Sequence, residues 1–449
     1  MTGFSEAPAA LPSTRALAWI WTLGASARIL FVCFEPATRP IADETMWQMA
    51  LGRIRDAGFS PLSNYPIFHP PVYPYFLAAM NGLSGSLLAI KFVQAIIGSL
   101  LIPAVFRVSM RIFGPRTAIA SAALSAFYPE LIWYTAHFWC ETVFLSLLWW
   151  AIERLMAADE TSAGRTGAVA GGLLGLAILT RETLLYLLPF AAMWLAWSKP
   201  RRRPALALCL LGAAFALVAP WTLRNWIQFG AFIPVSTGGG LNLYQGNADL
   251  PRGEVYREYY ANEGKIEQYQ WARAEGIKAI WKRQPAWIFE KIRDEGPRLA
   301  EIDSLPLIHM RRGAYGNVTC EGYRGAAAIV LLPWILIALG TVLAVARAPV
   351  NRGTVLLLGL ITTYLLLHIA THGFSRYRLP VLPVFMIMAA SLTELDCRVG
   401  RTRTRGLALI GLSVSLSLLW APSLLDQIGH VGFAAPPTYE GFAPLCAVR

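Results

Sequence analysis

The stretch GLLGLAILTRETLLYLLP, residues 172–189, consists of two apolar runs that meet at Arg181 and Glu182. With their neighbours, the runs make two candidate membrane spans, 167–182 and 183–197. A charged side chain at hydrocarbon depth costs about 2–4 kcal/mol on insertion scales, so an Arg that follows an unbroken apolar run needs a reason to be there. The stretch therefore predicts a membrane protein with functional charges near the membrane boundary.

The composition of the whole chain excludes the ordinary soluble classes. Of its 449 residues, 55% are hydrophobic and 15% are charged, whereas a typical globular domain carries about 25% charged residues. So little charge cannot cover a chain of this length in water. The 12% of aromatic residues argue against disorder. We therefore expect an all-α polytopic membrane protein.

Apolar runs of membrane-spanning length recur along the chain. The first, residues 16–34, begins after Arg15, and no small-residue cleavage site follows it, so it is interpreted as a retained span. The other candidates are 87–110, 117–134, 140–156, 167–182, 183–197, 205–221, 326–346, 354–370, 379–394 and 406–424. The sequence thus predicts about 11 transmembrane helices.

The basic residues predict the orientation of these spans. The net charge of +12 resides in short clusters between apolar runs, and these clusters form no continuous patch that would indicate nucleic acid. Such clusters mark cytoplasmic turns, which places the N-terminus inside and the C-terminal tail outside. Residues 70–83 are apolar but short. A full crossing there would move later basic clusters outside, so the segment is interpreted as a juxtamembrane or re-entrant helix.

The spans divide the chain into six expected segments. They are 1–34 (N-terminus and first span), 35–86 (external loop with juxtamembrane helices and the catalytic acid), 87–221 (transmembrane helices), 222–325 (external loop with amphipathic helices), 326–424 (transmembrane helices) and 425–449 (external tail). The stretch from Gln268 to Ala300 is expected to form helices on the membrane surface. The six cysteines lack CxxC spacing and predict neither a zinc site nor a disulfide framework, although Cys320 and Cys446 both fall outside and could be bridged.

Acidic residues collect at the outer ends of the spans. Asp43 and Glu44, in IADETMWQMALGRI, are either a helix cap with a first-turn acid or a general base that takes the proton of an acceptor hydroxyl. Glu141, in YTAHFWCETVF, is either a capping acid or a second carboxylate that faces Asp43 or orients a basic residue. These three are the candidate catalytic residues.

Basic residues at the same boundary suggest a lipid-linked phosphate. Arg181 either pairs with a neighbouring acid or binds a phosphate, for which its planar fork is well suited. His69, in FHPPVYP, is either a structural residue or part of the site. The candidate donor phosphate-binding residues are Arg181, Arg224, Arg376, Arg378, Lys91 and His69.

Six stretches of the chain, in order over roughly residues 15–395, resemble the GT-C glycosyltransferases of family 39. They are ADETMWQMA, FHPPVYPYFLAAM, FYPELIWYTAHFWCETVFL, GLLGLAILTRETLLYLLP, APWTLRNWIQFGAFIPVSTGGGLNLYQGN and SRYRLPVLPVFMIMAA. The family includes protein O-mannosyltransferases and the bacterial lipid A aminoarabinose transferase, and it uses polyprenyl-phosphate-sugar donors. The resemblance implies a GT-C-like fold with periplasmic juxtamembrane helices.

The resemblance also implies residue roles. The acid after the first span, here Asp43, is the expected base, with Glu141 as the later acid and Arg181 as the basic residue of the LTR motif. His69 stands where the family often has Lys, and Met46 where the aminoarabinose branch has Arg, so an aminoarabinose-transferring role is not expected.

These observations predict one reaction. A monosaccharide passes with inversion from a polyprenyl-phosphate donor to a glycan, lipid or protein acceptor on the periplasmic side of a bacterial inner membrane. No cofactor is required, and no DxD motif indicates a metal, although Asp43, Glu44, His69 and Glu141 could collect one if folding brings them together. The alternatives are a transporter or flippase, a polymerase or ligase of lipid-linked glycans, and a non-catalytic scaffold.

Overall fold

The computed structural model describes residues 10–35, 37, 40–41, 43–58, 67–197, 203–345, 347–394 and 420. Every regular element in this part of the chain is a helix. The α-helices are α1 (Ala10–Phe34), α2 (Glu44–Ala57), α3 (Val72–Ser84), α4 (Leu87–Ser99), α5 (Leu101–Ile112), α6 (Pro115–Phe127), α7 (Pro129–Trp133), α8 (Glu141–Thr161), α9 (Gly164–Thr180), α10 (Leu188–Ala196), α11 (Arg203–Phe229), α12 (Gly238–Asn247), α13 (Arg252–Ala261), α14 (Lys265–Lys282), α15 (Ala286–Ala300), α16 (Leu305–Arg311), α17 (Cys320–Val345), α18 (Arg352–Ala370) and α19 (Leu382–Ser391). Short 3-10 helices occupy Tyr134–Ala136, Glu182–Tyr186 and Ser375–Arg378.

Apolar helices confirm a multi-pass membrane protein. Within the described residues, five helical segments are long and apolar enough to cross a membrane: Thr14–Phe34, Leu87–Ile112, Pro204–Phe229, Cys320–Val345 and Arg352–Ala370. Gly164–Thr180, Glu182–Ala196 and Leu382–Ser391 are apolar but shorter. The expected span 406–424 lies outside the described residues except for position 420, so the total of about 11 spans stays a prediction.

The segment interpreted as juxtamembrane forms a short helix. Helix α3 has 13 residues, which gives it a length of roughly 20 Å at 1.5 Å per residue. The hydrocarbon core of a bilayer is about 30 Å thick. Helix α3 is therefore too short to cross the membrane, in keeping with the sequence interpretation.

The centre of the bundle is built on α9, which packs against α8 on one side and α11 on the other. Three glycines at every fourth position, Gly167, Gly171 and Gly175, face α11. A Cβ atom on Gly171 would lie 2.1 Å from the carbonyl oxygen of Leu210. Such small-residue spacing lets two helix backbones approach closely where lipid supplies no hydrophobic driving force.

One end of the bundle carries the basic clusters. Arg111 forms ion pairs with Glu160 and, at 3.1 Å, with Glu153. Arg352 binds Asp159 with two hydrogen bonds of 2.8 Å. We call this the basic end. The parts of the clusters at 199–202 and 398–405 lie outside the described residues.

The opposite end, which we call the site face, comprises the helix ends at Phe34, Leu87, Glu141, Thr180 and Ala370 with the segments that join them. Helices α12 to α16 pack over it. Lys291 on α15 donates hydrogen bonds to the carbonyl oxygens of Gly246 (2.6 Å) and Thr371 (2.7 Å). These bonds fasten the external helices to the segment that follows α18.

Helix α15 has an inverted pattern of exposure. Phe289 and Ile292 are 73% and 51% exposed, while Lys291 and Glu295 are buried. Exposure of these apolar side chains to water would be unfavourable. At a lipid surface, the apolar side of the helix faces the membrane. That these helices lie on the membrane surface stays a prediction. Cys320, at the start of α17, is disulfide-bonded, and Cys446 lies outside the described residues.

Candidate active site

Four charged side chains from distant parts of the chain meet at the site face. Asp43 precedes α2, Glu141 begins α8, Arg181 follows α9, and Arg376 lies in the last 3-10 helix. Arg376 donates to Asp43 (Nη1 to Oδ2, 2.8 Å) and to Glu141 (Nε to Oε1, 2.6 Å). Arg181 donates to the same Glu141 oxygen at 2.8 Å. We call these four residues the charged cluster.

Local structure decides where each acid points. Asp43 occupies the N-cap position of α2 and Glu44 lies in the first turn, but the Asp43 side chain makes no capping hydrogen bond and bonds Arg376 instead. The residue at the N-cap of α8 is Cys140, and Glu141 turns its carboxylate to the two arginines instead. The alternative that Glu141 orients basic residues is the one that the structure supports.

Aromatic rings fix the two arginines in place. The guanidinium of Arg376 lies 4.1 Å from the ring centroid of Trp139. That of Arg181 lies between Phe144 (5.8 Å) and Tyr377 (5.5 Å). Contacts of this kind favour a cation over the ring face. The aromatic rings hold both guanidinium groups in position, so neither arginine needs a ligand to orient it.

Exposure differs sharply within the charged cluster. The Glu141 side chain is 0% exposed, and those of Arg181 and Arg376 are 13% and 17% exposed. The Asp43 side chain is 38% exposed. Solvent therefore reaches the carboxylate of Asp43, while that of Glu141 is covered.

The charges around Asp43 keep it ionised. Burial raises the pKa of Asp43, but the charge and hydrogen bond of Arg376 outweigh this, and the net effect is a lowered pKa. Burial lowers the pKa of the neighbouring His69 to about 4, against an opposing effect of Asp43. His69 is thus neutral near pH 7, and it would contact a phosphate through an N–H group rather than as the cation that the sequence suggested.

Glu44 is held by backbone groups rather than by the cluster. Its two carboxylate oxygens accept hydrogen bonds from the N–H of Ile41 and the N–H of Phe138, each at 2.7 Å. The side chain is buried. The structure separates it from Asp43, and its contacts tie the start of α2 to the segment before α8.

Two of the predicted phosphate-binding residues, Lys91 and Arg224, have partners outside the charged cluster. Lys91 is 3.9 Å from Glu35 and lies over the ring of Phe138, 5.6 Å from its centroid. Arg224 packs on Trp221 and bonds its neighbour on α11. No described contact joins either of them to the charged cluster.

Arg378 has a structural role. Its guanidinium donates to the carbonyl oxygens of Glu301 (2.5 Å) and Asp303 (2.9 Å) and stacks on Trp334 at 4.4 Å. The side chain is 4% exposed. It fixes the segment before α16 and is not available to a donor. Arg28 on α1 donates from Nη1 and Nη2 to the carbonyl oxygens of Ala126 and Ser125 at the end of α6.

Sequence reasoning missed the aromatic surroundings of the cluster. Trp139 stands two residues before Glu141, and Tyr377 lies between the two arginines of SRYR. Tyr377 stacks on His368 at 4.2 Å and hydrogen-bonds His372 at 3.0 Å. Their position next to predicted charges was the available signal. Which ring faces which cation depends on tertiary packing.

A metal would need ligands that converge on one point. Across the described residues, no group of three or more His, Cys, Asp and Glu side chains is arranged to hold a metal ion. Asp43 and Glu141 each bond Arg376 instead. That the reaction needs no divalent metal stays a prediction.

Comparisons with known proteins agree with this architecture. Residues 68–224 match the family described as dolichyl-phosphate-mannose-protein mannosyltransferase. This region contains His69, Glu141, Arg181 and Arg224. No curated protein is significantly similar to the chain in sequence.

Two solved structures resemble the fold. The oligosaccharyltransferase of Archaeoglobus fulgidus in the apo form aligns with a TM-score of 0.51 and 13% identity, over 93% of this chain and 55% of that one. ArnT from Cupriavidus metallidurans bound to undecaprenyl phosphate aligns with a TM-score of 0.51 and 15% identity, over 89% of this chain and 63% of that one. The chain thus spans less than two thirds of either relative.

At these identities the structural likeness establishes the fold, and the family match applies to residues 68–224. The predicted GT-C-like all-α architecture is confirmed. The chain has a GT-C-like, multi-pass all-α fold, and its residues 68–224 are similar to the dolichyl-phosphate-mannose-protein mannosyltransferase family.

Proposed function

We propose that the protein is a membrane glycosyltransferase that moves a monosaccharide from a polyprenyl-phosphate donor to a hydroxyl group of an acceptor, with inversion at the anomeric carbon. The observation that carries the proposal is the charged cluster, in which an accessible carboxylate shares an arginine with a buried one. The related family and an undecaprenyl-phosphate-bound structure of the same fold support the donor class.

Asp43 is the proposed base. It accepts the proton of the acceptor hydroxyl while the hydroxyl oxygen forms its bond to the anomeric carbon. The bond from that carbon to the phosphate oxygen breaks, and polyprenyl phosphate leaves with the electron pair. Because phosphate is a good leaving group, positioning and cations near its growing charge supply most of the catalysis.

The balance of charge in the cluster fits this step. At rest, the two arginines are balanced by Asp43 and Glu141. When Asp43 takes the proton, the cluster gains one positive charge. The leaving phosphate gains one negative charge in the same step. The cluster therefore becomes cationic only as the transition state requires it.

The bond from Arg376 to Asp43 also links donor binding to base strength. This bond keeps the pKa of Asp43 low. When the donor phosphate takes hydrogen bonds from Arg376, Asp43 loses part of that stabilisation and its pKa rises. A carboxylate with a higher pKa is the better general base near neutral pH. Donor binding thus prepares the base for the acceptor.

The sugar site is proposed to face the periplasm of a bacterial inner membrane. The basic clusters at the opposite end support this orientation, because such clusters remain cytoplasmic. The proposed partners are the lipid-linked sugar, membrane lipids and an acceptor on the outer side.

The test is the release of polyprenyl phosphate by purified protein in lipid, from a panel of polyprenyl-phosphate monosaccharides with membrane extract as acceptor source. We expect Asp43→Asn to lower the rate by about 10²- to 10⁴-fold, as loss of a general base does. Asp43→Glu should retain part of the activity. Asp56→Asn, on the same helix and 73% exposed, is the matched control and should leave the rate unchanged.

Two results would count against the proposal. Full activity of Asp43→Asn would eliminate Asp43 as the base. In the second, the wild type releases no polyprenyl phosphate from any donor of the panel. Binding of an oligosaccharide-diphosphate lipid would then favour a polymerase, and lipid transport would favour a flippase.

A further inference from the structure

Glu182 directly follows Arg181 of the charged cluster, but its carboxylate is bonded to a different part of the fold. Oε2 accepts a hydrogen bond from the hydroxyl of Ser236 at 2.6 Å. The backbone N–H groups of Ser236 and Gly239 also donate to this carboxylate. These donors lie just before α12 and in its first turn. The residue next to Arg181 is therefore fastened to the external helices.

The carboxylate of Glu182 acts as the cap of α12. The first N–H groups of a helix have no partner within the helix, and an anion beside them is stabilised. Thr237 occupies the N-cap position, but its side chain makes no capping hydrogen bond. The hydroxyl of Thr237 is buried and, in the part of the chain that the structure describes, has no hydrogen-bond partner. Glu182 thus supplies the cap from outside the helix.

A glycine makes this close contact possible. A Cβ atom on Gly239 would lie 2.9 Å from Oε1 of Glu182, well inside the roughly 3.5–4.0 Å of an ordinary van der Waals contact. The atom that would have to move is the end of a flexible side chain and not helix backbone. An alanine at this position would therefore displace the carboxylate and leave α12 intact.

The first turn of α12 also contacts a second segment of the site. The N–H of Thr237 donates to the carbonyl oxygen of Ile67 at 2.9 Å. A Cβ atom on Gly238 would lie 3.0 Å from the carbonyl oxygen of Phe68. These two residues lead directly to His69. The same turn thus holds the chain next to His69 in addition to the carboxylate.

The backbone of Arg181 lies at a break between helices. Arg181 is the C-cap residue of α9, in an extended conformation (φ −152°, ψ 109°), and a 3-10 helix begins at the next residue. The rings of Phe144 and Tyr377 hold the guanidinium group. They do not fix the backbone from which the side chain starts. Glu182 is the first residue after the break, and its hydrogen bonds fix that backbone.

We propose that Glu182 is a positioning residue for the transfer reaction. By fastening the chain to the first turn of α12, it sets the separation of Arg181 and His69, two of the groups expected to contact the donor phosphate. The inference rests on the proposed function, because it assigns a role at the same site. Glu182 does not touch the donor and acts through Arg181.

The test is the Kd of a fluorescently labelled short-chain polyprenyl phosphate for the full-length protein in detergent micelles, together with KM and kcat of donor turnover. Glu182→Gln keeps the size of the side chain but replaces one acceptor oxygen by an NH₂ donor. Gly239→Ala displaces the carboxylate. We expect both to raise Kd and the donor KM several-fold and to change kcat less. The acidic limb of the kcat/KM profile should not move, because Asp43 keeps its bond to Arg376.

Coupling to Arg181 distinguishes a positioning role from a general loss of structure. Arg181→Gln alone should weaken the binding of polyprenyl phosphate. In that background Glu182→Gln should have little further effect, because residues that act through one another are not additive. Gly172→Ala on α9, where a Cβ atom meets nothing within 4 Å, is the matched control for Gly239→Ala and should change neither Kd nor KM.

Full additivity of Glu182→Gln and Arg181→Gln would overturn the proposal, and so would an unchanged Kd in both Glu182→Gln and Gly239→Ala. Binding of polyprenyl phosphate by the wild type without turnover of any donor would contradict the proposed function, and the comparison of Kd values would still decide the role of Glu182. Donor turnover with unchanged Kd and KM in the variants would contradict this inference alone. Absence of binding by the wild type would contradict both.

Discussion

At the scale of single residues, two substitutions of Arg376 distinguish the effect of its charge from the effect of its hydrogen-bonding geometry. Arg376→Gln removes the cation that lowers the pKa of Asp43. Because Asp43 must be ionised to act as the base, the acidic limb of the kcat/KM profile should move to higher pH, and the rate should fall. Arg376→Lys keeps the charge but cannot bond two acids through a fork. It should lower the rate with a much smaller shift of the limb.

The measurement is the pH profile of polyprenyl phosphate release for both variants. Arg53→Gln, at an exposed position on α2, is the matched control and should leave both rate and profile unchanged. An unshifted acidic limb in Arg376→Gln would mean that the limb does not report Asp43.

The charged cluster also shows what the sequence can and cannot predict at this scale. Asp43, Glu141, Arg181 and Arg376 were all expected in the site, and they meet although Asp43 and Arg376 are 333 positions apart. Lys91 was expected with them but lies 3.9 Å from Glu35 instead. The end of a span fixes the depth of a side chain in the membrane. Its direction around the helix axis depends on which neighbour the helix packs against, and that is not written in one sequence.

At the scale of elements, the external helices hold the segment that carries Arg376. Lys291 bonds two backbone carbonyls and lies 3.2 Å from Glu295. Glu295 in turn accepts the N–H of Gly373 at 2.7 Å. Both anchors are buried, so the short segment between α18 and Arg376 has little freedom. The position of Arg376 thus depends on contacts of helix α15.

Lys291→Met should test this dependence. Removing one partner of a buried ion pair costs about 3–5 kcal/mol, so we expect a clear fall in the midpoint of thermal unfolding of the detergent-solubilised protein. The rate of donor turnover should also fall, because Arg376 is no longer held in register with Asp43.

Lys278→Met is the matched control on the neighbouring helix. Its ion pair with Glu275 is exposed, with the lysine 75% accessible, and such i,i+3 pairs contribute only about 0.2–0.5 kcal/mol. The midpoint should hardly change. Equal effects of the two substitutions would show that the Lys291 contacts do not anchor the segment.

At the scale of the whole molecule, we predict that the basic end and the site face lie on opposite sides of the membrane. Arg257 on α13 and Val350 before α18 are both strongly exposed. In cells with a permeabilised outer membrane, an impermeant maleimide should label Arg257→Cys. It should label Val350→Cys only after lysis, with the parent protein as background. The reverse pattern would place the site in the cytoplasm.

Several membrane helices were predictable from the chain, because apolar length is a local property. The expected spans 326–346 and 354–370 correspond to α17 and α18. The expected span 87–110 is two helices that meet at Leu100. The helices of 222–325 were expected as amphipathic surface elements. These helices also hold the segment after α18 in place. That role depends on long-range contacts, which a local sequence pattern does not predict.

The bond between Asp43 and Arg376 has a consequence for turnover as well as for transfer. Under the proposed mechanism, the spent lipid phosphate occupies Arg376 while Asp43 still holds the acceptor's proton. When Asp43 gives that proton to water, it again becomes an anion that competes for the same guanidinium, which it contacts at 2.8 Å. The enzyme thus carries an internal competitor that helps to expel its own product, and inhibition by added polyprenyl phosphate should weaken as the pH rises through the lowered pKa of Asp43.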